Sequence, residues 1–151
     1  MTRKPSKRQV AGWLAAACGL AIWARWRPLR VEVEGHSMSP VLEPGDWLVA
    51  FRTGRPNNSA ISRAVQVRPT HGRMVVVEHP ERSGFELVKR IVGVPGDRIG
   101  ALLLEDGRYW VAGTRPEESA DSRWFGPVGA ERIRGIVVLR YWPPRRIAWL
   151  L

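Results

Sequence analysis

The stretch FELVKRIVGV (85–94), closed by Pro95-Gly96-Asp97, decides how the rest of the chain is read. Extended, it places Leu87, Lys89 and Ile91 on one face and Val88, Arg90 and Val92 on the other. Both faces then carry apolar neighbours, as in a strand covered on two sides, and one of the two adjacent cations is buried. Arg90 is long enough to run along the surface to water. Arginine cannot release its proton in a protein, whereas a buried lysine can. A buried Lys89 is held less strongly protonated by desolvation and becomes a candidate general base. The alternative is a lysine on a solvated strand face. Of the 24 Lys and Arg residues only three are Lys, and Lys89 is the one outside the N-terminal tail, where Lys4 and Lys7 lie.

Working outward, the same strand-and-turn grammar continues. VEVEG (31–35) alternates, LEPGD (42–46) reads as a turn, and WLVAF (47–51) and MVVVE (74–78) read as strands. Residues 52–72 are polar and irregular. RIGALLLE (98–105), a turn at Asp106-Gly107 and RYWVAG (108–113) predict a hairpin, and GIVVLRYW (135–142) a last long strand ended by Pro143-Pro144. The tail RRIAWLL (145–151) is too short to span a membrane and reads as a strand or an interfacial contact. No long helical period follows residue 30, and no repeat is visible. The expected fold is mainly β, an antiparallel barrel or sandwich preceded by a short N-terminal apolar helix.

The N-terminus divides into a basic tail (1–9), an apolar segment (10–27) and a domain from 28 to 151. The uncharged run VAGWLAAACGLAIWA (10–24) would make about 22 Å of helix against a hydrocarbon core of about 30 Å. Its basic leader and its Trp-Arg flank at Arg25, Trp26 and Arg27 favour a short membrane anchor over a cleaved signal peptide, a lipoprotein signal ending at Cys18, or a buried helix. The basic residues lean towards a cytoplasmic N-terminus, and hence a domain on the extracytoplasmic side of a single-pass protein.

At 151 residues, 44% hydrophobic and 25% charged, the chain excludes a large multidomain machine and disorder as its main state. One cysteine excludes an intramolecular disulfide and a cysteine-based metal cluster. The net charge of +10 is compatible with anionic lipid, nucleic acid or neither.

A nucleophile needs an activating base. Ser37, in GHSMSP after a strand and before a proline-limited turn, is well placed. His36 adjoins it but points to the opposite face of an extended chain. His71 and His79 remain formal candidates for the base beside Lys89.

With these residues in view, the chain resembles the type I signal peptidase family, the Ser-Lys leader peptidases of peptidase family S26. Four blocks are similar in order: GHSMSPVLEPGD (35–46), LVKRIVGVPGD (87–97), SADSRWFGPV (119–128) and GIVVLRYWP (135–143). The resemblance implies Ser37 as nucleophile, Lys89 as general base, Ser119 as the hydroxyl orienting the base amine, and Asp121 with Arg123 as a structural ion pair. It sets Met38 beside the nucleophile. Gly35 stands where some members carry a serine whose hydroxyl helps bind the oxyanion, so the hole here rests on backbone, mainly the Ser37 N–H. Gly113-Thr114-Arg115 departs from the family's Gly-Asp-Asn, a change expected to touch neither Ser37 nor Lys89.

The resemblance implies an acyl-enzyme endopeptidase that needs no metal or cofactor. Its expected partners are precursor proteins with N-terminal leader peptides, and membrane lipid, with no nucleic acid. The substrate lies extended beside Glu32–Gly35, with small side chains one and three residues before the cut. Compact length, FGPV (125–128) and LRYWPP (139–144) also resemble nickel-type superoxide dismutase maturation proteases, which leaves a dedicated substrate open beside a general secretory one. Two other classes fit less well: a self-cleaving repressor-like protein, disfavoured because residues 1–30 hold a single apolar run, and a non-catalytic membrane protein, disfavoured by intact Ser37, Lys89 and Ser119.

Overall fold

The computed structural model describes residues 28–53 and 69–150. The basic tail, the apolar segment 10–27 and most of the polar segment 52–72 lie outside the described residues. Among the described residues no helix is long and apolar enough to cross a membrane.

The fold is mainly β. Strands β1 (Leu29–Glu32), β2 (Trp47–Arg52), β3 (Met74–Glu78), β4 (Glu86–Gly93), β7 (Arg108–Ala112), β8 (Val128–Gly129), β9 (Ile133–Trp142) and β10 (Ala148–Trp149) form one antiparallel sheet. Its order is β1-β2-β9-β3-β4-β7-β8, with β10 also on β9. Strands β5 (Arg98–Ile99) and β6 (Leu102–Leu103) pair separately. The last long strand is thus central: β2 runs along one flank of β9, while β3 takes its first half on the other flank and β10 its second. Among the described residues helix is confined to single turns, of which α1 (Ser122–Phe125) is capped by Asp121 and ended by Gly126 at φ +77°.

The period of two in MVVVE splits the core. Met74 and Val76 face one apolar cluster with Leu48, Ala50 and Val137, and Val75 and Val77 face another with Ile91, Val111 and Ile136. All five β3 side chains are buried, as a continuous apolar run with both faces covered requires. On β4, Leu87 and Ile91 join the second cluster and Val88 the first. Lys89, paired with Val75 in register, is buried among them.

Two expectations change in detail. The first strand runs from Leu29 to Glu32, two residues earlier than VEVEG suggests. The hairpin expected between 98–105 and 108–113 is not made; β7 pairs with β4 and β8 instead. Residues 94–105 close on themselves: Gly96 N–H donates to Leu104 O and Leu104 N–H to Asp97 O, both at 2.8 Å. Gly100, at φ +61°, turns β5 into β6. The reason is Gly93. A Cβ there would lie 2.9 Å from Leu104 Cδ1 and 3.0 Å from Ile99 Cδ1, so its bare backbone receives both side chains and folds the segment back over the end of β4. The tail takes the strand of its two readings: β10 pairs Ala148 with Arg140 and Trp149 with Leu139.

Candidate active site

Ser37 lies on the turn that joins β1 to β2. Val33 N–H donates to Asp46 O (2.9 Å) and Gly45 N–H to Val33 O (2.8 Å), which pins the two ends of the turn together. Within it, Ser39 N–H donates to His36 O and Leu42 N–H to Met38 O. Met38 (1% exposed) and Leu42 (0%) are driven into the first core cluster, and this apolar anchoring leaves Ser37 at the half-buried surface above them. Met38 therefore stands beside Ser37 as a packing residue.

Lys89 Nζ is 2.7 Å from Ser37 Oγ. The two residues are 52 apart in sequence and meet because β4 lies between β3 and β7. At 1% exposure the amine has lost nearly all its water. Burial pushes its pKa down to about 8 from 10.5; the Asp121 carboxylate pulls it up and the Arg123 guanidinium pushes it further down. A lysine in this state holds an appreciable fraction of free amine at moderate pH.

Asp121 is fully buried and is the hub of the opposite wall. Its Oδ2 accepts from Ser119 Oγ (2.5 Å), Gly113 N–H (2.8 Å) and Arg123 Nη2 (2.5 Å), and its Oδ1 from Arg123 Nε (2.9 Å) and the Arg123 N–H (3.1 Å). Burial alone would raise its pKa; the donors from Arg123, Gly113 and Ser119 prevail and hold it at about 2. Asp121 and Arg123 thus form a forked pair, and Arg123 Nη2 also donates to Gly113 O. Ser119 is buried, and its hydroxyl hydrogen is directed at Asp121, which leaves the oxygen's lone pairs to accept from another donor.

The segment Gly113-Thr114-Arg115 does touch Ser37, contrary to expectation. The Arg115 N–H donates to Ser37 O at 3.1 Å. A Cβ on Gly113 would fall 2.3 Å from Ser119 Oγ and 2.6 Å from Ser37 O. Arg90 pairs with Ala112 across β4 and β7, so the next rung sets Gly113 beside Lys89. Gly113 was not singled out from sequence, though a glycine closing the strand pattern RYWVAG is a signal of close backbone approach. Gly35 is exposed, and a Cβ built there meets nothing within 4 Å.

The histidines are otherwise engaged. His36 is exposed, 4.0 Å from Glu43. His71 pairs with Asp97 at 2.7 Å. His79 accepts from the Glu81 N–H and packs against Phe85 and Phe125. Among the described residues, no three His, Cys, Asp or Glu side chains are grouped to hold a metal ion.

The sequence matches the family described as signal peptidase, peptidase S26, over residues 7–102 and 101–142. The chain belongs to this family. It is 33% identical over 139 residues to mitochondrial ATP-independent inner membrane protease subunit 1b of Arabidopsis thaliana, covering 83% of this chain and 77% of that one. It is 35% identical over 144 residues to subunit 1a of the same organism (84% and 78%), and 27% identical over 191 residues to signal peptidase I of Bacillus caldolyticus (99% of each).

Proposed function

We propose that this protein is a membrane-associated serine endopeptidase whose Ser37–Lys89 dyad removes N-terminal leader peptides from precursor proteins. The observation that carries the reading is the 2.7 Å contact between Ser37 Oγ and a buried Lys89 amine whose pKa is lowered to about 8. Neutral Lys89 takes the Ser37 hydroxyl proton as Oγ attacks the scissile carbonyl. The Ser37 N–H stabilises the oxyanion. The tetrahedral species collapses, Lys89 returns its proton to the departing amine, and an ester to Ser37 remains. That amine is the new N-terminus of the mature protein; Lys89 then deprotonates a water that attacks the ester, frees the leader peptide as a carboxylate and returns the proton to Ser37 Oγ. Ser119 orients the amine through its lone pairs, and Asp121 with Arg123 fixes Ser119 and Gly113. The substrate strand lies extended beside Glu32–Gly35.

The peptidase domain is taken as 28–151, with 10–27 as its anchor and catalysis on the extracytoplasmic side. Exposed Trp47 and Trp142, paired across β2 and β9, and exposed Ile147 and Trp149 support contact with lipid. No nucleic-acid partner enters the reading.

The test is mass-spectrometric cleavage by wild type and Ser37→Ala. The panel holds a secretory preprotein with an Ala-x-Ala site and a nickel superoxide dismutase precursor. Cleavage by wild type alone supports the protease, and the substrate cut separates a general leader peptidase from a dedicated maturation enzyme. Equal cleavage by both proteins would remove Ser37 from the mechanism.

Gly35 gives a second prediction. A Cβ built there meets nothing within 4 Å. If its hydroxyl reaches the oxyanion, Gly35→Ser should raise kcat about tenfold, less than the full effect of a preorganised donor. Steady-state kinetics on the cleaved substrate decide it. An unchanged kcat would mean that another donor already fills the place.

A further inference from the structure

Beneath the nucleophile turn lies a second buried ionic group that the proposed chemistry does not use. Asp46, at the end of the turn, is 1% exposed. Its Oδ2 accepts from the Glu43 N–H at 2.9 Å and from Arg140 Nη1 at 3.2 Å. Its Oδ1 is buried and accepts no well-formed hydrogen bond; Arg146 Nη1, 3.2 Å away, is the cation facing it. Arg140 of β9 also donates from Nη1 to Val41 O (2.8 Å) and from Nε to Arg146 O (2.5 Å). Two guanidinium groups, one on the central strand and one on the C-terminal segment, therefore grip the arm Val41–Asp46 of the Ser37 turn. The segment is itself held: β10 pairs with β9, the Leu150 N–H donates to Val138 O, and Leu150 packs on the cluster that contains Met38 and Leu42.

We infer that the C-terminal segment is a brace for the nucleophile, and that Arg146, with Arg140, is a positioning residue that sets the Ser37 turn against Lys89 through Asp46. This inference rests on the proposed dyad for its catalytic consequence, but its geometry does not. A buried carboxylate oxygen left without its cation draws in water or moves towards it. Either response loosens the turn from below, because Asp46 O and Glu43 N–H are part of the turn's own closure. A looser turn lengthens the Ser37–Lys89 contact and admits water to the amine. The charges acting on Lys89 are Asp121 and Arg123, both outside the brace. From the nucleophile turn the ionisable side chains are Glu34 and His36, both exposed, the half-buried Glu43, and Asp46, which is the carboxylate of the brace itself, and β3 presents the apolar Val75. A change in Lys89 on altering Arg146 would thus report hydration and position rather than a lost neighbouring charge.

The experiment uses full-length protein carrying carbon-13 lysine, in which three lysines give a resolvable Lys89 signal. Lys89 is titrated by NMR in wild type, Arg146→Gln and Arg146→Lys, and kcat and KM are measured on the same samples. The expected result for Arg146→Gln is a Lys89 midpoint raised by about one unit as water returns. Its kcat should fall about tenfold with KM within about twofold, the mark of a misplaced reacting group. Arg146→Lys, which keeps a cation at Oδ1, should restore most of both. A Lys89 midpoint and kcat equal to wild type, with only the melting temperature lowered, would overturn the inference and make the segment purely structural. A loss carried by KM would also overturn it. If Arg146→Gln does not fold, Arg140→Lys, which gives up the fork between Asp46 and Val41 O, is measured in its place with the same readings. Should wild type show no Ser37-dependent cleavage, the leader-peptidase reading fails, and the Lys89 midpoint still decides the brace.

Discussion

Lys89→Arg is expected to lower kcat by about four orders of magnitude, the scale on which triad-type residues act, although it keeps the positive charge. Arginine cannot supply a free base near neutral pH. In the wild type, kcat/KM should rise with pH along a limb centred near 8, the value at which buried Lys89 loses its proton. Retained turnover in Lys89→Arg, or a limb centred near 6.5 as for an ordinary histidine, would sink the dyad. The same burial predicts an effect on stability. Lys89 titrates near 8 when folded and near 10.5 when unfolded, so between these values the unfolded chain binds more protons. The cost to the fold is complete below pH 8 and fades as the pH rises towards 10.5, and it amounts to about 3 kcal/mol. Lys89→Met fills a similar volume without the charge. It should be inactive yet more stable than wild type at pH 7 by up to about 3 kcal/mol, as expected where a strained functional group is removed. Denaturant unfolding at pH 7 and pH 10.5 measures this, and the advantage of the Met variant should shrink at the higher pH. A destabilised Met variant would mean that Lys89 is held by more than it costs.

Gly113→Ala should be the most damaging single-methyl change in the site. The new Cβ would stand 2.6 Å from Ser37 O and 2.3 Å from Ser119 Oγ. The Ser119 hydroxyl can rotate away, but its Cβ, 2.8 Å off, cannot, and the backbone oxygen cannot move without taking Ser37 with it. Overpacking of this kind costs about 1–3 kcal/mol. The larger effect is kinetic, because a displacement of about 1 Å at the nucleophile costs about a hundredfold in rate. The prediction is a folded protein with kcat reduced at least that far and a β-sheet circular dichroism spectrum like that of wild type. Kinetics near those of wild type would show that the turn carrying Ser37 has room to yield. Gly35→Ala is the control, since a Cβ at Gly35 meets nothing within 4 Å.

Much of the site was legible because its residues are chemically unusual where they stand. A lone lysine in an arginine-rich body, set between apolar positions of a strand, announces its burial before any coordinates exist. The strands at 47–52, 74–78 and 86–93 were equally legible, because period-two patterning and proline-glycine turns are local properties. The expected 98–113 hairpin was not made, because the closure of Leu104 and Ile99 over Gly93 is a packing event between segments, and a leucine run looks the same whichever partner it finds. The contact of Arg115 with Ser37 O was missed for a related reason: a backbone donor carries no residue-type signature.

The sequence by itself determined the family, the mainly β class and the candidate reacting groups, because these follow from residue chemistry and from the spacing of apolar positions along the chain. Tertiary structure alone decided that Lys89 and Ser37, 52 residues apart, stand 2.7 Å from one another. It also set the bare backbone of Gly113 against Ser37 O and Ser119, and packed the C-terminal segment beneath the turn that carries Ser37. Those outcomes depend on strand order and on the desolvation of charges packed from distant segments, which no local pattern encodes.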